Sequence, residues 1–264
     1  MNKIRIGIVG CGAIGSSLAK TIKNDFKSQA CLAAVYDIDK NKSGNFSVAT
    51  TFSQLIQKSD LVIESSSAKC SYEIARAVLS KGKDVVIMSV GGISAKFNTL
   101  NELAKRKNAK IYIPSGAIAG IDALKAAKIS EIKEVILTTT KNPLSFKGVK
   151  FIEDRNIKLD TIKKDKVLFF GAAKEAVKYF PQNINVAAIL SIAGIGLDKT
   201  KVKIVASPQV KRNIHEIKII SKAGDIYTRT ENVLHPDNPK TSYLAFLSAV
   251  AVLKQILEPV RIGS

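Results

Sequence analysis

The chain has 264 residues, 46% of them apolar, and a formal charge of 41 − 22 = +19. That excludes a disordered tail and allows core for one large domain or two modest ones. The charge does not mark a nucleic-acid binder: the longest basic run is Lys105-Arg106-Lys107, only 6% of residues are aromatic, and no basic–aromatic platform interrupts the mixed charges.

No apolar run reaches the roughly 18–20 residues of a membrane helix; the best candidate, Leu244–Leu253, has ten. The N-terminus opens directly on a strand-like run, with no signal-peptide pattern. Cys11, Cys31 and Cys70 match no metal spacing, and their odd number argues against a disulfide framework. A cytoplasmic protein with no metal site, no membrane span and no nucleic-acid partner is expected.

The first elements alternate. Residues 3–10 read as a strand, 13–29 as a helix and 31–37 as a second strand. Strands at 60–65, 84–89 and 109–115 follow at βαβ spacing, with helices at 70–81 and 95–107 between them. This pattern predicts an α/β fold with a doubly wound parallel sheet. Between strand one and helix one lies Gly10-x-Gly12-Ala13-Ile14-Gly15. In that context Gly10 serves the tight turn, Gly12 admits a pyrophosphate, and Gly15 lets the helix pack closely. The helix N-terminus, through Ala13 and Ile14, holds the phosphates with its unpaired N–H groups. Asp37 ends strand two, 22 residues after Gly15, where a carboxylate accepts from ribose hydroxyls. The cofactor expected is NAD; Lys40 and Lys42 leave NADP open.

Past residue 130 the style changes. Half-exposed strands are expected at 131–140, 201–207, 213–221 and 224–233, with a turn at 223–225. Helices are expected at 171–180 and 183–196, and a last helix at 241–257. The second domain is therefore α/β with a mixed or antiparallel sheet. The boundaries predicted are 1–128 for the dinucleotide-binding domain, completed by 236–264, and 129–235 for a catalytic and oligomerisation domain.

The chain has two histidines. His215 alternates with Ile217 and Ile219 on the inward side of its strand, while Glu216 and Lys218 point out. It is either a core histidine held by a hydrogen bond or a proton-transfer group. His235 precedes Pro236 in a turn-rich stretch, as an exposed or turn residue or a substrate contact.

Five segments together resemble the L-aspartate dehydrogenase family across nearly the whole chain. They are the glycine loop, Ser115-Gly116-Ala117-Ile118-Ala119-Gly120, Asn185-Val186-Ala187-Ala188, Asn213-Ile214-His215-Glu216-Ile217 and Asn238-Pro239-Lys240-Thr241-Ser242. The resemblance implies a Rossmann domain paired with an α/β domain. It also implies NAD(P)-dependent oxidation of L-aspartate to iminoaspartate, which feeds quinolinate synthase or hydrolyses to oxaloacetate and ammonia. It assigns the catalytic role to His215 and cofactor contacts to Ala119 and Asn185, and it implies a homodimer formed through the second domain's sheet. The dicarboxylate substrate calls for cationic and hydroxyl partners; Lys240, Thr241 and Ser242 are the candidates, with Asn238 and His235 beside them. Thr241 or Ser242 has an alternative use as a helix N-cap.

Two other readings stand beside this one. A reductase like dihydrodipicolinate reductase would be expected to carry a closer histidine pair and a basic motif, and these histidines lie 20 residues apart. An NAD-sensing nucleic-acid-binding regulator would need a helix-turn-helix or basic arm, and the sequence offers neither.

Overall fold

A computed structural model describes residues 3–180, 184–236 and 238–263, with Ile184 and 238–240 described by their backbone alone. The chain divides into two units, Met1–Pro114 with Phe246–Arg261, and Ser115–Ala245 with Ile262–Ser264. The division falls between Pro114 and Ser115, whereas the sequence reading placed it after residue 128. Ser115–Gly120 thus belongs to the second unit.

In the first unit the chain runs β1 (Ile4–Val9), α1 (Ala13–Asn24), β2 (Ala30–Tyr36), α2 (Phe52–Lys58), β3 (Leu61–Glu64), α3 (Ser71–Ser80), β4 (Asp84–Ile87), α4 (Phe97–Lys107) and β5 (Ile111–Tyr112). All neighbours pair in parallel in the order β2-β1-β3-β4-β5. Its short runs read as continuous apolar stretches because the sheet is covered on both faces; every residue of β3 is buried. The order reverses at β1, so the carboxyl ends of β1 and β3 open a crevice for a ligand. Helix α2 was not anticipated. It is a short helix started by Thr51, whose side chain accepts from the Gln54 N–H at 3.1 Å.

The second unit runs α5 (Ile121–Ala127), β6 (Ile132–Lys141), α6 (Lys150–Asp154), β7 (Lys166–Ala172), α7 (Ala173–Tyr179), α8 (Ile184–Ala193), β8 (Lys201–Ala206), β9 (Asn213–Ser221), β10 (Gly224–Asn232), β11 (Leu234–His235) and β12 (Asn238–Ser242). Its main sheet has the order β10-β9-β6-β8-β7 and is mixed: β6–β8 is parallel and the other pairs are antiparallel. The hairpin between β9 and β10 turns through Lys222-Ala223, with Gly224 at φ +132° closing it.

Two expectations change here. Strand β7 lies where none was read, and it ends in the first residues of the expected helix at 171. Its apolar run is short and sits at a sheet edge, with Val167 and Phe170 exposed, so it has no inside–outside alternation to betray it. The stretch before the last helix is not an irregular turn but the hairpin β11–β12, with His235 opposite Asn238.

Helix α9 (Tyr243–Leu257) follows. Its Phe246, Ala249 and Leu253, spaced for one helix face, join Ile6, Ile8, Leu18, Ile22 and Ile63 in the core of the first unit.

Candidate active site

Gly10 has φ +94°, and its N–H donates to the Tyr36 carbonyl at 2.9 Å, tying the turn after β1 to the end of β2. A side chain at Gly10 would meet the Ser65 and Ser66 backbone at 2.6 Å, and one at Gly15 would meet the Gly10 carbonyl at 1.9 Å. A side chain at Gly12 would meet no protein atom within 4 Å. The loop is therefore closed against the sheet at Gly10 and Gly15 and open at Gly12. Gly12 is also the N-cap of α1, with no side chain capping the first turn at Ala13 and Ile14. These N–H groups carry the positive end of a 12-residue helix. The open space joins a cleft of about 440 Å³ lined by Gly10, Gly12, Asp37, Lys42 and the Ser65–Ser67 loop, among others.

Asp37 fixes this cleft. Its carboxylate accepts from the Cys11 N–H at 2.6 Å and from the Asp39 N–H at 2.9 Å. Each oxygen keeps a further lone pair, enough for two ribose hydroxyls. Burial, reinforced by Asp37, raises the Cys11 thiol to about 11, so it stays protonated and unreactive. The residues present fit a dinucleotide: an open glycine position, an uncapped helix start and a carboxylate at the end of β2. Sequence reading missed Glu64, which is fully buried at the end of β3. It accepts from the Ser66 N–H and hydroxyl at 2.9 and 2.8 Å and from the Ser89 N–H at 3.0 Å. Burial pushes its carboxyl above the usual range. It holds two loops at the carboxyl ends of β3 and β4, one of which lines the cleft.

In the second unit His215 is 6% exposed. It stands opposite Thr139 on β6 and Thr230 on β10. Its Nδ1 lies 3.0 Å from Thr139 Oγ1. With Thr139 accepting from Nδ1–H, Nε2 carries the lone pair a base requires. Burial, and then the charge of Lys141, lower the imidazole to about 4, so it is neutral at physiological pH. An imidazole in water titrates near 6.5; the register that buries this ring moves it.

The Ser115–Gly120 segment is pinned to the same sheet. Thr230 Oγ1 and Asn232 Nδ2 donate to the Ala117 carbonyl at 3.0 and 3.1 Å, and Thr228 Oγ1 donates to the Ala119 carbonyl at 3.1 Å. Gly120 adopts φ +89°, and a side chain there would meet Thr228 at 2.7 Å. One strand, β10, thus carries the partner of His215 and the anchors that leave Ala119 exposed.

Comparison with known proteins decides the family. A family described as aspartate dehydrogenase, C-terminal, matches residues 122–256, and one described as homoserine dehydrogenase, NAD binding domain, matches residues 10–114. The L-aspartate dehydrogenases of Methanococcoides burtonii and Nitrosopumilus maritimus are 46% and 40% identical, over 99% and 98% of this chain and 100% and 99% of theirs. The chain belongs to the L-aspartate dehydrogenase family. The crystal structure of aspartate dehydrogenase from Thermotoga maritima has a TM-score of 0.79 at 26% identity, covering 99% of this chain and all of that one. A homoserine dehydrogenase from Thiobacillus denitrificans, at 14% identity and a TM-score of 0.64, shares the fold.

For an aspartate dehydrogenase the remaining expected site residues fall unevenly. Asn185 is exposed in the first turn of α8. His235 is buried, not exposed, with its ring edge-on to Tyr243 at 5.5 Å. Ser242 donates to Asn232 Oδ1 at 2.7 Å, linking β12 to the strand that holds Ala117. Thr241 is half-buried on β12. The side chains of Asn238 and Lys240 lie outside those described. The residue that sequence reading missed in this unit is Lys141. It follows Thr139 by two positions on β6, so it shares the inward face, and it is 7% exposed. Burial lowers its ammonium to about 8.

Proposed function

We propose that this chain oxidises L-aspartate to iminoaspartate with a nicotinamide dinucleotide as acceptor, and that His215 is its proton-transfer residue. The observation that carries the reading is a buried, neutral imidazole held by Thr139 beside the anchored Ser115–Gly120 segment. When bound, the dinucleotide supplies the hydride acceptor. The substrate ammonium gives a proton to Nε2 of His215. The freed amine then lets the Cα hydrogen leave with its electron pair, and a C=N bond forms. Water adds to that carbon and ammonia leaves, giving oxaloacetate. Gly10, Gly12, Ala13, Ile14 and Gly15 hold the phosphates, Asp37 the ribose, and Ala119 and Asn185 are assigned cofactor contacts by the family resemblance. His235, Asn238, Lys240, Thr241 and Ser242 serve the substrate. The imino product suits onward use by a quinolinate synthase in NAD biosynthesis. Three free cysteines suit a reducing cytoplasm.

An NADH-linked panel of amino acids, and of 2-oxo acids with and without ammonia, tests this. Turnover with aspartate, and with oxaloacetate plus ammonia, is expected; turnover restricted to another substrate pair would overturn it.

NAD is the favoured acceptor, because a 2′-phosphate is repelled by the Asp37 carboxylate. Asp37→Ala is expected to weaken NAD more than NADP, measured by fluorescence titration of the reduced forms. Wild-type binding of NADP tenfold tighter than NAD would refute this role for Asp37.

The enzyme is proposed to be a homodimer formed through the second unit's sheet. Exposed Val167, Phe170 and Tyr227 on its edge strands support that face. Light scattering at physiological salt is expected to give twice the 28.5 kDa chain mass; a monomer mass would rule it out.

A further inference from the structure

The main sheet of the second unit treats its cations in two ways. On the outward side they reach solvent, and some are also paired: Lys218 with Glu134 at 3.1 Å, and Arg229 with Glu231. Lys222, at the hairpin turn, meets Glu131 at 2.6 Å. Lys141 faces the other way. It has no carboxylate within 4.0 Å and no side-chain hydrogen-bond partner among the described residues. A buried ammonium with no counter-ion is costly, since burial removes its hydration and nothing replaces it. The strand could hold an apolar residue there, as it does at Val135 and Leu137 on the same face. A lysine kept at such a position is explained by an anion that is brought to it.

The neighbours narrow what that anion is. Lys141 acts electrostatically on His215, and Thr139, two residues before it, holds the His215 ring. The cation and the proton-transfer group are thus on one face, one step apart along β6. A substrate whose reacting ammonium must reach His215 brings its carboxylates to within a few ångströms of the same place. We infer that Lys141 is a substrate-binding residue that receives a carboxylate of the dicarboxylate substrate. The inference rests on the proposed reading of His215 as the proton-transfer group. A substrate carboxylate on Lys141 also neutralises the charge that disfavours a proton on His215, so binding readies the base.

The test uses Lys141→Met, which keeps the length and removes the charge, with Lys141→Arg as the conservative variant and Lys141→Gln should Met aggregate. Succinate, a four-carbon dicarboxylate that lacks the amino group, is titrated calorimetrically into the NADH-loaded protein. Aspartate kinetics and unliganded melting are measured alongside. In Lys141→Met, succinate affinity is expected to fall roughly 10- to 100-fold, the range for a lost hydrogen bond to a charged group. The KM for aspartate should rise similarly, NADH affinity should hold within about twofold of wild type, and unliganded melting should stay equal or rise. Arg is expected to restore part of the succinate affinity. Unchanged succinate affinity in a folded Lys141→Met protein overturns the inference, as does a marked fall in melting temperature with succinate affinity intact, which would make Lys141 a structural cation. Because the succinate titration does not depend on turnover, failure of the aspartate reaction in the wild type is distinguishable from failure of the carboxylate anchor.

Discussion

Replacing His215 with alanine is expected to lower kcat for aspartate by about 100-fold or more, the usual range for a positioned acid–base group. NADH affinity should be unchanged, because the glycine loop and Asp37 belong to the other unit. Stability is a separate matter. The variant leaves a cavity and strips Thr139 Oγ1 of its 3.0 Å partner in a buried setting, which together cost about 1–3 kcal/mol. The wild-type histidine also makes the fold acid-sensitive. Its folded value of about 4 lies below the unfolded 6.5, so between those limits the unfolded chain binds more protons. The wild type therefore loses up to about 3 kcal/mol as pH falls from 6.5 to 4, and His215→Ala should lose less over the same window. Kinetics at neutral pH with melts at pH 7 and pH 5 decide the matter. Near-normal turnover, or a loss that merely tracks a collapsed melting temperature, would return His215 to a structural role.

The first unit was legible because its signals are local. A strand, a glycine loop and a helix follow one another within about 20 residues, and Asp37 announces itself by its distance from Gly15. His215 was legible for a different reason: its strand alternates, and a ring on the same side as Ile217 and Ile219 stands out. Lys141 obeys the same alternation, in line with Val135, Leu137 and Thr139. Yet it is one of 41 cationic residues, and its strand was read to end at 140, one residue short of it. Only the register of β6 against β9 shows that this lysine shares a face with the histidine. Glu64 escaped for a similar reason, since its partners at Ser66 and Ser89 come together only when β3 and β4 pair. The hairpin β11–β12 escaped because its residues, rich in Pro and Asn, carry turn signals; tertiary pairing overrides them.

The glycine loop gives a sharp contrast between two substitutions of identical chemistry. Gly15→Ala places a methyl group 1.9 Å from the Gly10 carbonyl and 2.7 Å from Ser65 Oγ. The first is backbone, so α1 or the turn must move. Overpacking of that kind costs about 1–3 kcal/mol, which lowers the melting temperature by several degrees. The displaced N–H groups also lose their aim at the phosphates, so NAD affinity falls with stability. Gly12→Ala is expected to behave otherwise. Its backbone, at φ −65° and ψ −172°, suits any residue, and its methyl group meets no protein atom. Unliganded melting should match wild type within about 1 °C, which is less than the 2–4 °C that 1 kcal/mol shifts in a domain of this size. The methyl group nonetheless fills the space through which a pyrophosphate approaches the helix start, so NAD affinity should fall at least about tenfold, or 1.4 kcal/mol. The added stabilisation that NAD gives in a melt should shrink in step. A Gly12→Ala protein that binds NAD as the wild type does would show that the pyrophosphate does not lie against the N-terminus of α1.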